Sequence, residues 1–212
     1  MNNRPTGQAS LHTPLPEPVP ASASALWHLL RQRRSSRRFG QGPLSLAATG
    51  ELLWAAQGVT GTDGRRVAPS AGGLYPLELL LVAGHIDGLD AGLYRYQPPH
   101  HALLRVAEGD LRQALAAASW HQDFIAEAPA IVVIAAIIRR TTVKYRKRGI
   151  RYVHMEAGHA AQNLCLMATE LGLLTVVVGA FGDAATRRVL HLGRDETPLA
   201  LLPVGAAVGA QP

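Results

Sequence analysis

The sequence predicts an α+β sandwich rather than a doubly wound parallel sheet. Apolar runs of strand length alternate with helical patterns, and two further strand-like runs, GLYRY and ALLRV, flank the short segment QPPHH. That last pair predicts a hairpin, whereas the other strands are separated by helices. Because hairpin-joined and helix-separated strands occur together, the α+β class is favoured.

Apolar residues at helical spacing predict four helices. The first, ALWHLLRQR, is short and amphipathic, and the second, LSLAATGELLWAAQG, has Gly58 as its stop. The stretch GDLRQALAAASWHQDFIAEAP is predicted to be helical up to Pro129. The segment HMEAGHAAQNLCLMATELGL is the clearest helix of the chain.

Three apolar segments predict buried strands outside the hairpin: LELLLVAGH, IVVIAAII and TVVVGAF. The run IVVIAAII is continuously apolar, as expected for a strand that is covered on both faces. A glycine-rich loop, GVTGTDGRRVAPSAGGLYP, precedes the first of the three strands.

Length and composition predict one domain that follows a tail. With 212 residues, 48% of them hydrophobic, the chain can build a single well-buried core. Residues 1–24 are rich in Pro, Ser and Ala and contain no apolar run of signal-peptide length, which predicts a flexible tail. The folded domain is predicted over residues 25–212.

Charge and cysteine content narrow the possible function classes. The 21 Lys and Arg residues exceed the 15 acidic residues by six, which suits an anionic ligand, an acidic partner or a nucleic acid. Aromatic residues make up 5% of the chain, too few for base stacking, so no nucleic-acid partner is expected. The single Cys165 excludes an intramolecular disulfide framework and indicates a reducing, cytoplasmic environment. No segment reaches the roughly 20 apolar residues of a membrane span, so no membrane partner is expected.

Two familiar catalytic signatures are incomplete, and no metal site is expected. The segment VAPSAGG around Ser70 lacks the first glycine of a hydrolase nucleophile elbow. In HMEAGH, His154 and His159 are five residues apart and lie on different faces of a helix, whereas a zinc-protease site needs a spacing of four. Glu156 and His159, three residues apart, are expected to form a structural hydrogen-bonded pair.

Three segments have the composition of a site for a flat, phosphate-bearing cofactor. In RRSSRRF, the residues Arg33, Ser35 and Arg37 are two apart, so an extended chain directs them to one side, where they can hold a phosphate. In APSAGGLYPLE, small residues let the backbone approach a ligand. The third segment, TTVKYRKRGIRY, has the densest charge of the chain. A solvated helix end, a tight turn and a solvated basic loop that attracts a peptide or partner enzyme remain the respective alternatives.

In this order, and together with GLYRYQP, MEAGHAAQNLCLMATELGL and VVVGAF, these segments resemble the SagB-type dehydrogenases of the nitroreductase superfamily. The resemblance extends from about Ala25 to Gly205. It implies a nitroreductase-like three-layer α/β/α sandwich with a mixed, mainly antiparallel sheet, and a homodimer with FMN at the subunit interface. It also implies oxidation of a thiazoline or oxazoline to the azole, in a small-molecule or modified-peptide substrate, with a possible biosynthetic partner enzyme.

The resemblance implies three groups of cofactor-binding residues. They are Arg33, Arg34, Ser35 and Arg37 at the phosphate and ribityl end, Pro69, Ser70, Ala71 and Gly72 along the isoalloxazine ring, and Val178, Gly179 and Asn163 at or behind the reactive edge.

Lys144 and Tyr145 match the Lys-Tyr pair of azoline-oxidising members, which implies a catalytic role. Aromatising an azoline removes one hydrogen as a proton and another as a hydride to flavin N5, so a base must stand beside the flavin. Neighbouring positive charge favours the neutral amine and the phenolate, the forms that accept a proton. Two alternatives remain open: an NAD(P)H-dependent reductase of nitro compounds or quinones, and a non-catalytic subunit that uses its basic surface.

Overall fold

The computed structural model describes Leu15 and residues 24–209. In this part of the chain, seven α-helices and six strands build the predicted α+β fold. The helices are α1 (Ala25–Gln32), α2 (Leu46–Gln57), α3 (Arg112–Ala118), α4 (Phe124–Glu127), α5 (Arg139–Tyr145), α6 (Arg148–Glu170) and α7 (Asp183–Val189). The strands are β1 (Leu77–Ala83), β2 (Gly92–Gln97), β3 (Ala102–Glu108), β4 (Ala130–Ile137), β5 (Leu173–Thr175) and β6 (Glu196–Ala206). Apart from Leu15 and Ser24, the predicted tail lies outside the described residues.

The six strands form one sheet in the order β3-β2-β1-β4-β6-β5, and every neighbouring pair is antiparallel. Within the described ranges, parallel pairing is confined to isolated bridges, Ser35 with Thr175 and Leu44 with Ile86. The predicted hairpin consists of β2 and β3, joined by a turn in which His101 has a φ of 45°. The predicted mainly antiparallel sheet is confirmed, with parallel pairing among the described residues limited to these two bridges.

Helices cover both faces of the sheet and complete the three predicted layers. Because strand side chains alternate between faces, Leu79 and Leu81 pack in a core with α2 and α6, whereas Leu80 and Val82 pack in a second core with α3 and α4. The central strands β1 and β4 are therefore buried on both faces, as the apolar run of β4 predicted. No helix between residues 24 and 209 is both long and apolar enough to cross a membrane.

Strand β6 is absent from the sequence-based prediction, although it lies between β4 and β5. Its Pro198 and Pro203 have no N–H to donate, and proline is normally confined to sheet edges and bulges. Pro198 lies opposite Ala135, where the register of β4 shifts, so the missing donor coincides with an interrupted ladder. The extent predicted for the strand TVVVGAF is wrong, since β5 ends at Thr175 and Val178 forms only an isolated bridge.

The basic segment TTVKYRKRGIRY is helical rather than a loop. Helix α5 ends at Tyr145, and α6 begins at Arg148 instead of the predicted His154. Gly149 permits this close junction, because a Cβ at this position would lie 3.0 Å from the backbone of α5. The junction determines where the last side chains of α5 are held.

Candidate functional site

The glycine loop, residues 69–73, meets the Lys-Tyr pair, Lys144 and Tyr145. Gly72 has a φ of +66°, and a Cβ there would lie 2.8 Å from Tyr145 Oη and 3.1 Å from Lys144 Nζ. Any other residue would therefore strain the backbone and displace both groups. Two of the segments predicted to share one site are thus in contact.

Hydrogen bonds inside the glycine loop fix its shape. Tyr75 N donates to Ser70 Oγ at 2.9 Å, and Gly73 N donates to Ser70 O at 3.0 Å. Ala71–Gly73 form a 3-10 turn, and Pro69 is exposed before it. Because Ser70 Oγ accepts a backbone hydrogen bond, the Ser70 side chain supports the turn.

Ion pairs hold α5 against the end of this loop. Arg140 Nη1 donates to Tyr75 O at 3.1 Å and lies 2.6 Å from Glu78 Oε1. Glu78 also pairs with Arg95 at 2.9 Å, and Arg95 pairs with Glu196 at 2.6 Å. This network joins α5 to β1, β2 and β6, so the Lys-Tyr pair has a fixed position relative to the glycine loop.

Glu156 is a site residue that the sequence analysis missed. Its side chain is 2% exposed, and its Oε1 has no hydrogen-bond partner among the described residues. Burial raises the pKa of Glu156 to about 7, opposed by the Ser70 hydroxyl and by the positive charge of Arg66. A buried carboxyl group that titrates near neutrality is typical of functional sites.

The predicted pairing of Glu156 with His159 is wrong. His159 is exposed, and within residues 24–209 no hydrogen bond joins the two side chains. Residues three apart differ by about 60° around a helix, which here places one inside and the other in solvent. The usable signal was the position of Glu156 between Val153 and Ala160, on the apolar stripe of α6.

Arg66 links the glycine loop to α2. Its Nη1 donates to Gln57 Oε1 at 2.9 Å, and its guanidinium carbon lies 4.7 Å from the centroid of the Tyr75 ring. Burial lowers the pKa of Arg66, which nevertheless stays charged. Gln57 Nε2 and Glu156 Oε1 are buried and lack partners in the described part of the chain. The layer beneath the loop therefore offers an amide donor and a carboxyl oxygen that the chain itself leaves unsatisfied.

The arginine segment, residues 33–37, lies beside the edge strand β5. Ser35 forms a parallel bridge with Thr175, and Ser36 N donates to Thr175 O at 3.0 Å. The side chain of Arg33 is half-buried, and that of Arg37 is exposed. The segment is therefore anchored through its backbone, which leaves its side chains available.

In the single chain, the arginines of this segment contact different elements. Burial raises the pKa of Cys165 in α6, and the nearby charge of Arg33 opposes that shift. The Arg37 guanidinium lies 5.8 Å from the ring centroid of Phe124 in α4, which packs on the other face of the sheet. Arg34 Nη1 donates to two carbonyl oxygens at the end of α1, each at 2.8 Å, so this guanidinium caps the helix.

The remaining predicted residues divide between two places. Val178 lies three residues after Thr175 and is buried, while Gly179 is exposed and a Cβ there would meet nothing within 4 Å. Asn163 is half-buried and lines a groove of about 240 Å³ between α1, α2 and α6. Gly179 therefore borders open surface near the arginine segment, whereas Asn163 belongs to a helix face.

Within one chain, the glycine loop and the arginine segment are far apart. Thr175 pairs with Val204 of β6, whereas Ala136, at the end of β4 that leads into α5, pairs with Thr197. These β6 positions are seven residues, or roughly 23 Å, apart along the strand. One chain therefore carries a loop half-site (glycine loop, Lys-Tyr pair, Arg66 and Glu156) and an arginine half-site (arginine segment, Val178 and Gly179).

The loop half-site has groups that can hold a flat ligand and move a proton. Lys144 is exposed, and the half-buried Tyr145 ring packs edge-on against Tyr152, with centroids 5.1 Å apart. Gly72 presents backbone without a side chain to the same space. A planar ring with polar edges, such as a flavin, fits this combination of a bare backbone and unsatisfied polar groups.

Comparisons with known proteins agree with this fold. Residues 30–206, which include every predicted site residue, match the model of the nitroreductase family. A candidate nitroreductase of Methanocaldococcus jannaschii is 46% identical over 180 residues, which are 85% of this chain and 90% of that protein. A solved structure of a candidate nitroreductase from Ralstonia eutropha has a TM-score of 0.77 and 33% identity, covering 92% of this chain and 89% of that one.

A peptide-processing protein is also among the relatives. The microcin B17-processing protein McbC of Escherichia coli is 31% identical over 133 residues. The aligned part is 60% of this chain and 49% of McbC.

Proposed function

Because the chain belongs to the nitroreductase family, whose members are flavin-dependent oxidoreductases, we propose that it is an FMN-dependent dehydrogenase of the SagB type. Its substrate is a peptide-derived thiazoline or oxazoline, which it oxidises to the azole. The contact between Gly72 and the Lys-Tyr pair carries this proposal, since it sets an amine and a phenol side chain against the loop assigned to the flavin. The 31% sequence identity with a microcin-processing protein supports a modified-peptide substrate.

FMN suits the chemistry of both half-sites. Arg33, Ser35 and Arg37 provide guanidinium and hydroxyl donors for the phosphate. Residues 69–72 provide a backbone surface for the ring, and Gly179, next to the buried Val178, leaves room at its edge. Asn163 is assigned an indirect role, as a side chain of α6 behind the site. Arg34 suits the phosphate less well, because its guanidinium already caps α1. When bound, the flavin supplies a hydride acceptor at N5.

A homodimer would join the two half-sites. Since they are roughly 23 Å apart along β6, a second copy must bring its arginine half-site to the loop half-site of the first. Exposed apolar side chains on α1 and α6 support such an interface: Leu26, Leu30 and Met155 are 56%, 52% and 53% exposed. The free, buried Cys165 supports a reducing, cytoplasmic location.

The Lys-Tyr pair accounts for the proton in the reaction. The azoline loses two hydrogens and two electrons: one ring proton goes to Lys144 or Tyr145, and the other hydrogen leaves as hydride. A two-electron acceptor such as molecular oxygen would be needed to reoxidise the flavin. Arg140 keeps the pair beside the glycine loop through Tyr75 O and Glu78.

A reductase of nitro compounds or quinones that uses NAD(P)H is the second candidate function. The relative with 46% identity, named as a candidate nitroreductase, favours it. In that case electrons enter from nicotinamide, and no peptide is required.

Single-turnover reduction distinguishes the two functions. Anaerobic mixing of the FMN-loaded protein with a thiazoline-containing peptide is expected to bleach the visible absorbance of the oxidised flavin and to yield the thiazole by mass spectrometry. Lys144→Ala and Tyr145→Phe are expected to slow this phase about 100-fold, as removal of a general base does. Tyr152→Phe is the matched control, because it also removes a phenol hydroxyl, from the ring that packs against Tyr145, while the atoms nearest to a Gly72 Cβ belong to Lys144 and Tyr145.

If NADH or NADPH bleaches the flavin and the peptide does not react, the dehydrogenase function would be contradicted and the reductase function supported. A protein that binds no flavin would contradict both functions. Activity of the purified chain alone would show that no partner enzyme is needed.

A further inference from the structure

A basic groove lies beside the loop half-site. It has a volume of about 910 Å³, between the end of α5 and the first turns of α6. Its lining residues are Tyr145, Arg146, Lys147, Arg148, Ile150, Arg151 and His154. Among the described residues, none of its four cationic side chains has a carboxylate within 4.0 Å. The groove therefore concentrates positive charge that the chain itself does not neutralise.

The spacing of three exposed groove residues places them along one line. Lys147, immediately before α6, and Arg151 and His154, in its first turns, are separated by four and three residues, so they share one face. From residue 147 to residue 154 the helix rises roughly 10 Å, which matches about three residues of an extended peptide. The positive end of the helix dipole adds to the same field.

The groove and the loop half-site share a residue. Tyr145 lines the groove, and its hydroxyl faces the position where a Gly72 Cβ would stand. A chain lying in the groove therefore passes next to the Lys-Tyr pair, so it could present a neighbouring ring to that pair.

From this continuity and from the charge, we infer that the basic groove binds an acidic stretch of the substrate peptide and so places the adjacent azoline at Lys144 and Tyr145. The assignment of the peptide as substrate rests on the proposed function. Carboxylates are favoured because Arg148 and Arg151 can bind them with two hydrogen bonds each. Nucleic acid is disfavoured because the lining residues include only two rings on which a base could stack, Tyr145 and His154, whereas single strands are held by a series of stacked bases.

A binding measurement tests the groove without requiring turnover. Fluorescein-labelled hexaglutamate and hexaglutamine are titrated with the FMN-loaded protein at low and high salt, and anisotropy is recorded. The wild type is expected to bind hexaglutamate, more weakly at high salt, and to bind hexaglutamine at least about tenfold more weakly. The double variant Arg148→Glu/Arg151→Glu is expected to lose at least about tenfold in affinity for hexaglutamate.

The control is Arg188→Glu/Arg194→Glu, which makes the same change in net charge at two exposed arginines on and after α7. It is expected to retain most of the affinity. Equal losses in the two double variants, or equal binding of the two peptides, would overturn the inference. So would an oligonucleotide that displaces hexaglutamate at lower concentration.

Two further outcomes would reassign the groove. If Arg148→Glu/Arg151→Glu released FMN, the groove would belong to the flavin site. If light scattering showed that the variant alone becomes monomeric, the groove would be an interface between two copies. The proposed function is tested separately by the thiazoline reaction, so peptide binding without thiazoline oxidation would overturn that function and keep an acidic-ligand groove.

Discussion

The two half-sites differ in how much of their geometry the chain itself fixes. In the loop half-site, Arg140 ties α5 to Tyr75 and Glu78, and Gly72 closes against the Lys-Tyr pair. In the arginine half-site, the backbone is anchored on β5, but Arg37 is exposed and Gly179 borders open space. The loop half-site is therefore fixed within the single chain, whereas the side chains of the arginine half-site are not, which agrees with the proposal that FMN and a second copy complete it.

Removal of the phosphate donors should produce the largest effect. Arg33→Ala/Arg37→Ala is expected to weaken FMN binding about 1,000-fold, because two charge-assisted hydrogen bonds contribute about 4 kcal/mol together. The melting temperature without FMN should change little, since Arg37 is exposed and its cation–π contact with the Phe124 ring contributes at most about 1 kcal/mol. Quenching of flavin fluorescence measures the affinity.

The matched control for this prediction is Arg31→Ala/Arg38→Ala, which removes the same charge from neighbouring exposed positions. FMN affinity that falls equally in both double variants would show that general positive charge, rather than the arginine half-site, attracts the phosphate.

A side chain at Gly72 should break the loop half-site. In Gly72→Ala, the Cβ would displace Tyr145 Oη and Lys144 Nζ, so single-turnover reduction is expected to slow about 100-fold. Gly73→Ala is the control: its φ of +65° imposes a similar backbone cost of about 1 kcal/mol, but its Cβ would meet nothing within 4 Å. Equal slowing in both variants would trace the effect to backbone strain instead of the displaced pair.

The sequence predicts which segments contribute to each half-site, but it does not predict how the segments are arranged. Small residues around Gly72 and the charge around Lys144 are local signals, but their contact depends on the antiparallel pairing of β1 with β4. The distance between the arginine segment and the glycine loop depends on β6. The sequence does not predict this strand, because Pro198 and Pro203 are unusual in a strand that lies between two others.

The sequence likewise did not predict that Glu156 is buried beneath the glycine loop. A glutamate in an otherwise ordinary helix is usually exposed, and this one is buried because the glycine loop covers it. Helical spacing identified the buried stripe of α6, but it could not show which segment covers that stripe.

The buried Glu156 should make stability pH-dependent. Because its pKa rises from 4.5 to about 7 on folding, the native state binds more protons in that range, and unfolding becomes easier as the pH rises through it. Relative to Glu156→Gln, the free energy of unfolding of the wild type is expected to fall by about 3 kcal/mol across this window and then to level off. Urea unfolding at a series of pH values measures the difference.

Glu51→Gln, at an exposed position of α2, is the control and should follow the wild-type profile. Parallel profiles for the wild type and Glu156→Gln would mean that the carboxyl group is hydrated in solution. The loop half-site would then lack a buried carboxyl group with a raised pKa.

The smallest effect on the reaction rate is expected at Arg140. This variant tests whether the ion pairs of Arg140 position the Lys-Tyr pair or only stabilise the fold. Arg140→Leu removes the hydrogen bond to Tyr75 O and one ion pair of Glu78, which keeps its pair with Arg95. Because the Arg140 side chain is 39% exposed, the cost in stability should be at most about 1 kcal/mol. The single-turnover rate should nevertheless fall about tenfold, since small misplacements of a catalytic group reduce rates strongly.

Arg139→Leu is the control, because this neighbouring exposed arginine forms no ion pair with a described residue. A rate loss in Arg140→Leu alone, with similar melting temperatures for both variants, would show that the ion pairs position the Lys-Tyr pair. Unchanged rates in both would assign that role to the close packing of α6 on α5 at Gly149. In either case contacts within one chain position the side chains of the loop half-site, whereas in the arginine half-site they anchor only the backbone.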